Sequence, residues 1–172
     1  MRQFRKATTE DLERIMEVIA EARRYIATFH IDQWQDGHPH IDILREDIRK
    51  GIGYVLDEDG VVAYAALRDD PEPFYATLRG TWLTDGTPYA TVHRMGVCDR
   101  VRHTGAAWEL MAQLEETAKA KGMASVRVDT HRGNLAMNAF LKKHGYTYCG
   151  EVDYTGEVLP GHDPIRVAYE KK

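Results

Sequence analysis

The chain has 172 residues, and its 43% hydrophobic and 29% charged content is ordinary for a globular protein. This length favours one domain over residues 1–172. The net charge of −4 argues against a nucleic-acid partner. No apolar run is long enough for a membrane span, and Met1–Glu10 lacks the apolar centre of a signal peptide. Two cysteines, Cys98 and Cys149, are too few for a disulfide framework, so the cytoplasm is the expected compartment.

Hydrophobic periodicity and turn residues divide the first half of the chain into short elements. Thr8 begins the first helix as a polar cap ahead of an acidic turn, and Asp-Gly marks the turn of a hairpin. The predicted elements are, in order, a strand at 3–7, a helix from Thr8 to about Ala27, a loop at 33–39, a helix at 41–50, hairpin strands at 53–56 and 61–67, and an irregular stretch at 74–87.

The second half begins with a predicted strand at 89–97 and a long amphipathic helix from Gly105 to Lys121. The inward stripe of this helix is predicted to be Ala107, Leu110, Met111, Leu114 and Ala118. The remaining predicted elements are a strand at 125–130, a helix at 134–144 and strands at 146–152 and 165–170. A strand, helix, strand unit favours a parallel pair with a right-handed crossover, so the sheet is expected to be mixed.

The loop before the long helix has the features of an anion site. Arg102, His103, Thr104, Gly105, Ala106 and Ala107 follow the strand and open the helix. Free backbone N–H groups and the helix dipole at such a position favour a phosphate-bearing ligand. Gly105 permits close backbone approach, and Arg102 can add a charge-assisted hydrogen bond.

A second segment, Asn134 to Tyr146, lies roughly thirty residues further on. The spacing Arg102-x-x-Gly105-x-Ala107 resembles the acyl-CoA pyrophosphate loop of the GNAT superfamily of N-acetyltransferases, written Arg/Gln-x-x-Gly-x-Gly/Ala. The second segment is similar to that family's Asn-x-x-Ala-x-x-Phe/Leu-Tyr-x-Lys-x-Gly-Phe pattern. Two motifs in the expected order, joined by the expected helix and strand, form a strong joint signal.

The resemblance implies an α+β (mixed α/β) protein with the GNAT fold, a mostly antiparallel sheet of about six to seven strands and about four helices. It also implies acetyl-CoA as co-substrate, with no metal. Two strands of this fold separate at their ends and expose backbone that pairs with pantetheine, here Met95, Gly96 and Val97. An oxyanion donor is assigned to the backbone N–H near Val97. Besides the loop 102–107, the resemblance assigns cofactor contacts to Asn134, Asn138, Phe140 and Lys143.

The chain departs from the family pattern at Met137, where Ala is usual, and at Leu141, where Tyr is frequent. In many members that Tyr protonates the departing CoA sulfur. Leu141 has no proton to give, so this general acid is missing. A thiol with a pKa of about 8.5 is a fair leaving group near neutral pH, and water or another side chain could supply the proton.

His93 and Asp129 are the candidate catalytic residues. Strand alternation places Arg127, Asp129 and His131 on one face, and a polar face on a central strand suggests a cleft. Alternation along 89–97 places His93 on the side of Val97. Either residue can accept a proton from an ammonium group. The structural alternative is that Asp129 pairs with Arg127, His131 or Arg94, and that His93 is a satisfied half-buried side chain.

Other candidates have simpler interpretations. His38 and His40 lack a third ligand of suitable spacing, which favours a loop over a metal site. Trp34, Tyr75, Trp82 and Tyr89 either line an acceptor pocket or belong to the core.

The sequence therefore predicts an acetyl-CoA-dependent transfer to a primary amine within a ternary complex. The alternatives are a non-catalytic acyl-CoA sensor and a peptide N-terminal acetyltransferase. The sensor stays an alternative because Leu141 stands where the family often has the proton-donating Tyr. The family is often dimeric, so a homodimer is possible. The sequence identifies neither the amine nor the length of the acyl group.

Overall fold

A computed structural model describes residues 1–154 and 159–172. Eight strands and four α-helices lie within these ranges, so the α+β class is confirmed. The strands are β1 (Gln3–Lys6), β2 (Gly53–Asp57), β3 (Val61–Arg68), β4 (Arg79–Gly80), β5 (Tyr89–Val97), β6 (Ser125–His131), β7 (Thr147–Asp153) and β8 (Ile165–Lys171). The helices are α1 (Leu12–Ala27), α2 (Ile41–Arg49), α3 (Ala106–Ala120) and α4 (Leu135–Lys143).

The strands form one sheet in the order β1-β2-β3-β5-β6-β8-β7-β4. All described pairs are antiparallel except β5 with β6, which are joined by α3 as the crossover rule requires. The strand beyond the predicted six or seven is β4, which comes from the stretch expected to be irregular. Gly80 and Gly150 make this two-residue pairing possible, because a Cβ at Gly80 would lie 1.9 Å from the Cys149 carbonyl oxygen.

The core lies between the sheet and its helices. Central strands β2 and β3 are buried along nearly their whole length, which accounts for their continuous apolar sequences. The buried stripe of α3 is Ala106, Leu110, Met111, Leu114 and Ala118. The expectation that Ala107 faces inward is therefore wrong, because the helix begins at Ala106 and Ala107 is half-exposed. No described helix is both long and apolar enough to cross a membrane.

The parallel pair β5–β6 divides into a fork. The two strands pair at Tyr89 with Ser125, at Ala90 with Val126, and at Thr91 with Arg127, and no pairing follows. β5 then continues six residues beyond Thr91 along β3, while β6 continues along β8. The backbone between the separated ends has no strand partner in the described chain, which matches the separation that the family resemblance implies.

Candidate active site

The fork opens into a cavity of about 330 Å³. Its floor includes Met95 from β5 and Val128 from β6, and Met137 of α4 borders one side. Side chains of the 32–38 loop and Tyr154 also line the cavity. Polar groups therefore converge in a partly enclosed space beside unpaired backbone, which is the usual character of a binding site.

A β-bulge in β5 sets the direction of the side chains that enter the fork. Ala66 of β3 lies opposite His93 and Tyr64 lies opposite Gly96, so β5 contains one residue more than β3 between these pairs. Arg94 takes a positive φ of 55° at this point. Because Tyr64 and Ala66 point to the same face, His93 and Gly96 do so as well. The prediction that His93 shares the face of Val97 is wrong, because simple alternation does not survive an inserted residue.

His93 and Asp129 lie at matching positions beyond the fork. Each comes two residues after the last paired position of its strand, and both line the cavity. On β6 the alternation is regular, so Asp129 shares the face of Arg127 and His131 as predicted. The sheet thus brings the two candidate catalytic residues together at one opening.

The Asp129 carboxylate has an unusual environment. Its Oδ1 accepts a 2.7 Å hydrogen bond from the Tyr75 hydroxyl. None of the predicted ion pairs forms within the described residues, since Arg127 binds Glu170 and Arg94 binds Asp47. Burial disfavours the charged form and raises the pKa of Asp129, although nearby His93 and the Tyr75 hydrogen bond act in the opposite direction. This combination is typical of an acid or base in a functional site.

His93 is oriented by a buried carboxylate. Its Nε2 lies 2.8 Å from Oε2 of Glu72, which is 8% exposed. The same oxygen accepts a 2.8 Å hydrogen bond from Arg68, and the Glu72 backbone N–H donates to the Tyr89 hydroxyl. An ionised Glu72 makes Nε2 the donor, which leaves Nδ1 of His93 as an acceptor.

An aromatic cluster positions Tyr75 under Asp129. The Tyr75 ring packs against Trp82 at 5.1 Å and Tyr89 at 6.2 Å between centroids. The Arg127 guanidinium lies 4.0 Å and 3.8 Å from the centroids of Trp82 and Tyr89, and it binds the fully buried Glu170. Trp34 alone of the four predicted aromatics lines the cavity, so the other three form its supporting layer.

The predicted phosphate loop has the expected backbone form. Gly105 precedes α3 with a φ of +87°, and a Cβ placed there would meet no atom within 4 Å. Within the described chain, the amides from Gly105 to Trp108 donate to no backbone carbonyl. This open surface of free donors fits a phosphate group.

Side chains of the loop already have protein partners. Arg102 pairs with Asp99 and covers the Tyr25 ring at 4.0 Å from its centroid. Thr104 accepts a hydrogen bond from Arg2, while His103 is exposed. Any anion bound at α3 would therefore rely first on backbone donors, with Arg102 available after leaving Asp99.

The second motif organises the start of α4. Asn134 caps the helix by accepting the Met137 N–H, and its Nδ2 donates to Gln33 at 2.9 Å. Asn138 donates to the Asn134 carbonyl and accepts from Tyr169, so both ends of its amide are bound within the protein. Of the strand residues assigned to cofactor contacts, only Met95 lines the cavity, while Gly96 packs against Ala22.

The last part of the second motif is less accessible. Phe140 packs with Trp108 and His144, and Lys143 is exposed. Leu141 is fully buried in the main core, so the position where the family often has Tyr contributes only packing here. His38 and His40 lie 6.5 Å apart between ring centroids, and no three metal-binding side chains converge in residues 1–154 or 159–172.

Sequence reasoning missed Glu72, Arg166 and Tyr154 as cavity residues. Glu72 lies between two prolines in a segment that sequence pattern presents as a break. Glu72 follows Arg68 by four residues, and nothing in this spacing predicts that its carboxylate is buried. The contact of Glu72 with His93 arises only when β3 and β5 pair.

A forked parallel pair beside a glycine-led helix start is the arrangement that the resemblance to the N-acetyltransferases implies. The family model described as Acetyltransferase (GNAT) family matches residues 12–146. The chain belongs to this family.

Solved structures support the same assignment. An acetyltransferase of the GNAT family from Streptococcus agalactiae 2603 is 35% identical, with a TM-score of 0.80 over 99% of this chain and 94% of that one. The PaiA N-acetyltransferase from Thermoplasma acidophilum, solved with coenzyme A, is 19% identical, with a TM-score of 0.71 over 100% and 99%. The ribosomal-protein-S18-alanine N-acetyltransferase from Escherichia coli is 14% identical, with a TM-score of 0.66 over 99% and 92%. The last two establish likeness of fold alone. No curated protein matches the chain.

Proposed function

We propose that the protein transfers an acetyl group from acetyl-CoA to a primary amine in a ternary complex. The observation that carries the proposal is the fork, whose cavity is lined by both His93 and Asp129 beside β5 backbone that no longer pairs with β6. The PaiA relative crystallised with coenzyme A supports the choice of donor. The cytoplasm remains the expected location and a homodimer the possible assembly.

Donor binding is assigned to backbone at two places. The open amides from Gly105 to Trp108 would hold the phosphates, and the separated end of β5 near Met95 would hold the pantetheine arm. Bound acetyl-CoA supplies an activated acetyl group and a thiolate leaving group. Asn134 maintains the start of α4 beside this arm through its cap and its bond to Gln33.

Asp129 is the proposed proton acceptor. Its Oδ1 is held by Tyr75, and the cavity lies beside the carboxylate. A raised pKa increases its affinity for the proton that the ammonium must lose. His93, with Nε2 directed to Glu72, offers Nδ1 to one remaining N–H and so orients the amine lone pair.

The acyl-CoA sensor remains the second candidate, favoured by the apolar Leu141. Coenzyme A binding by calorimetry and thiol release with primary amines separate the two functions. Turnover excludes the sensor, whereas coenzyme A binding without turnover excludes the enzyme. Failure to bind coenzyme A contradicts both.

Gly105→Glu tests the donor site directly. A charged side chain in a left-handed position at the phosphate cradle should weaken coenzyme A binding about 30- to 100-fold. Gly122→Glu is the matched control, because Gly122 has a φ of +80° at the opposite end of α3 and the same open surroundings. Equal affinities of the two variants would contradict the assignment of the loop.

A further inference from the structure

The charged groups around the cavity are not neutralised evenly. We infer that the acceptor amine also carries a carboxylate, as in an amino acid, with Asp129 receiving the ammonium and Arg166 the carboxylate. This inference rests on the proposed function and specifies its second substrate. It is argued from the partners of each charged side chain that lines the cavity.

Three arginines line the cavity, and two of them are bound by carboxylates. Arg94 forms a two-pronged pair with Asp47 at 2.8 Å and 2.7 Å. Arg68 binds Asp70 and Glu72. Arg166 differs, because in residues 1–154 and 159–172 its guanidinium binds only the backbone carbonyls of Asp163 and Ile165. A positive charge is therefore available for an anionic substrate group.

The acidic side chains of the cavity also differ in their partners. Asp36 accepts the His38 backbone N–H, and Asp32 accepts the Asp163 backbone N–H and lies 3.4 Å from His131. Glu72 is bound by Arg68 and His93. Asp129 receives only the neutral Tyr75 hydroxyl among the described residues. Asp129 and Arg166 therefore present an anion and a cation to the same cavity, and such a pair favours a zwitterion.

The strand register places these two charges on one face at a suitable separation. Asp129 lies opposite Ala168, and His131 lies opposite Arg166, in the antiparallel pair β6–β8. Asp129 and Arg166 are therefore diagonal neighbours, about 7–8 Å apart at the backbone. Ala168, directly across from Asp129, is small and fully buried, whereas Arg127, two positions before Asp129, faces Glu170.

The length of an amino acid suits this arrangement. Its ammonium nitrogen and carboxylate are separated by one carbon atom, and each charge-assisted hydrogen bond adds about 2.8 Å. Arg166 is held by its two carbonyl contacts at 2.7 Å and 3.1 Å, and its guanidinium carbon lies 5.3 Å from the centroid of the Tyr154 ring. The cation is thus oriented before substrate binds, which reduces the entropic cost of recognition.

The experiment measures thiol release from acetyl-CoA with matched acceptors. Each amino acid in the panel is compared with its decarboxylated amine, its carboxamide and a short peptide that begins with it, and diamines complete the set. We expect kcat/KM for at least one amino acid to exceed that of its decarboxylated amine by about 10-fold or more. Equal or better turnover of carboxylate-free amines or peptides would overturn this inference while leaving the proposed function intact. Absence of turnover with every amine would overturn the proposed function, and this inference with it.

Variants of Arg166 test the assignment of the carboxylate. Arg166→Gln should lower kcat/KM for the amino acid about 10- to 100-fold, mainly through KM, and affect its decarboxylated amine less than threefold. Arg166→Lys should restore part of the loss, and Arg166→Glu should shift the preference towards diamines. An equal effect of Arg166→Gln on both substrates would overturn the proposal.

The matched control is Arg132→Gln. Arg132 binds the Asp163 side chain at 2.8 Å and is 52% exposed, outside the residues that line the cavity. Like Arg166, it contacts Asp163, so the substitution removes a neighbouring guanidinium without removing one from the cavity. A loss of amino-acid selectivity in this control comparable to that of Arg166→Gln would also count against a specific role for Arg166.

Discussion

The start of α3 and the cavity at the fork of β5 and β6 are built from different parts of the chain. At α3 the available groups are backbone amides around Gly105, and most neighbouring side chains are exposed or engaged with the protein. In the cavity the candidate catalytic groups are the side chains of Asp129 and His93, and each is held by a residue distant in sequence. Tyr75 lies 54 positions from Asp129, for example.

This contrast separates the requirements of the two substrates. A phosphate can be bound by any correctly shaped helix start, because every residue except proline carries an N–H group. Deprotonation of an amine needs a particular side chain with an altered proton affinity. We therefore expect changes at Asp129, His93 and the residues that hold them to affect catalysis and acceptor choice, with little effect on coenzyme A affinity.

Asp129→Asn should produce the largest effect. Loss of the proton acceptor should lower kcat about 10³-fold and leave the affinity for coenzyme A unchanged. The pKa of Asp129 is raised in the fold, so its ionised form is less favourable there than in the unfolded chain. The free-energy cost of ionising Asp129 in the folded protein grows as pH rises through the folded pKa, and the substitution to Asn removes this cost. The Tm at neutral pH should therefore stay constant or rise.

Asp11→Asn provides the opposite case. Asp11 binds Arg5 through both carboxylate oxygens, and hydrogen bonding to Arg5 is the main cause that lowers its pKa to about 2. Its ionised form therefore stabilises the fold above the ordinary pKa near 3.8, and this stability is lost as pH falls towards 2. This variant should lose about 1–2 kcal/mol of stability with normal kcat. A Tm loss in Asp129→Asn as large as this one would identify Asp129 as a structural residue.

Much of the fold could be predicted from the sequence, because its signals are local. Asp-Gly turns, the cap at Asn134 and apolar periodicity set element limits that the structure reproduces within one or two residues. The exception is the first helix, because the cap at Thr8 leads into a 3₁₀ turn at Thr9–Asp11 and α1 begins only at Leu12. The two-residue β4 was missed, since its pairing depends on a close approach of Gly80 and Gly150 across the sheet.

The residues of the candidate site also differ in whether local sequence predicts them. Gly105 and Asn134 are visible in local motifs, and Asp129 is visible through the alternation of a regular strand. The direction of His93 could not be predicted, because the bulge at Arg94 depends on the partner strand β3. Glu72 and Arg166 were missed because their roles depend on which charges fold against them.

Glu72→Gln should give an intermediate effect. Loss of the carboxylate removes the group that directs Nε2 of His93 and leaves the ring free to change tautomer or rotate. We expect kcat to fall about 10-fold with little change in coenzyme A affinity. Asp70→Asn is the control, because it removes the exposed partner of Arg68 and leaves the contact between Glu72 and His93. If both variants lose activity equally, Arg68 rather than His93 explains the effect.

Tyr75→Phe should have the smallest effect, and its signature is a pH shift. The Tyr75 hydroxyl stabilises the ionised form of Asp129, so its removal should raise the pKa of Asp129 further. The acid limb of the kcat/KM profile should move to higher pH, with about a threefold loss near neutrality. Tyr146→Phe is the matched control, since it removes a buried hydroxyl that contacts the Met111 sulfur outside the cavity. Packing damage alone would lower the rate at every pH without moving the acid limb of the profile. An unmoved acid limb in Tyr75→Phe would therefore exclude Asp129 as the group that titrates. It would also contradict the proposed division between a backbone site for the donor and a side-chain site for the acceptor.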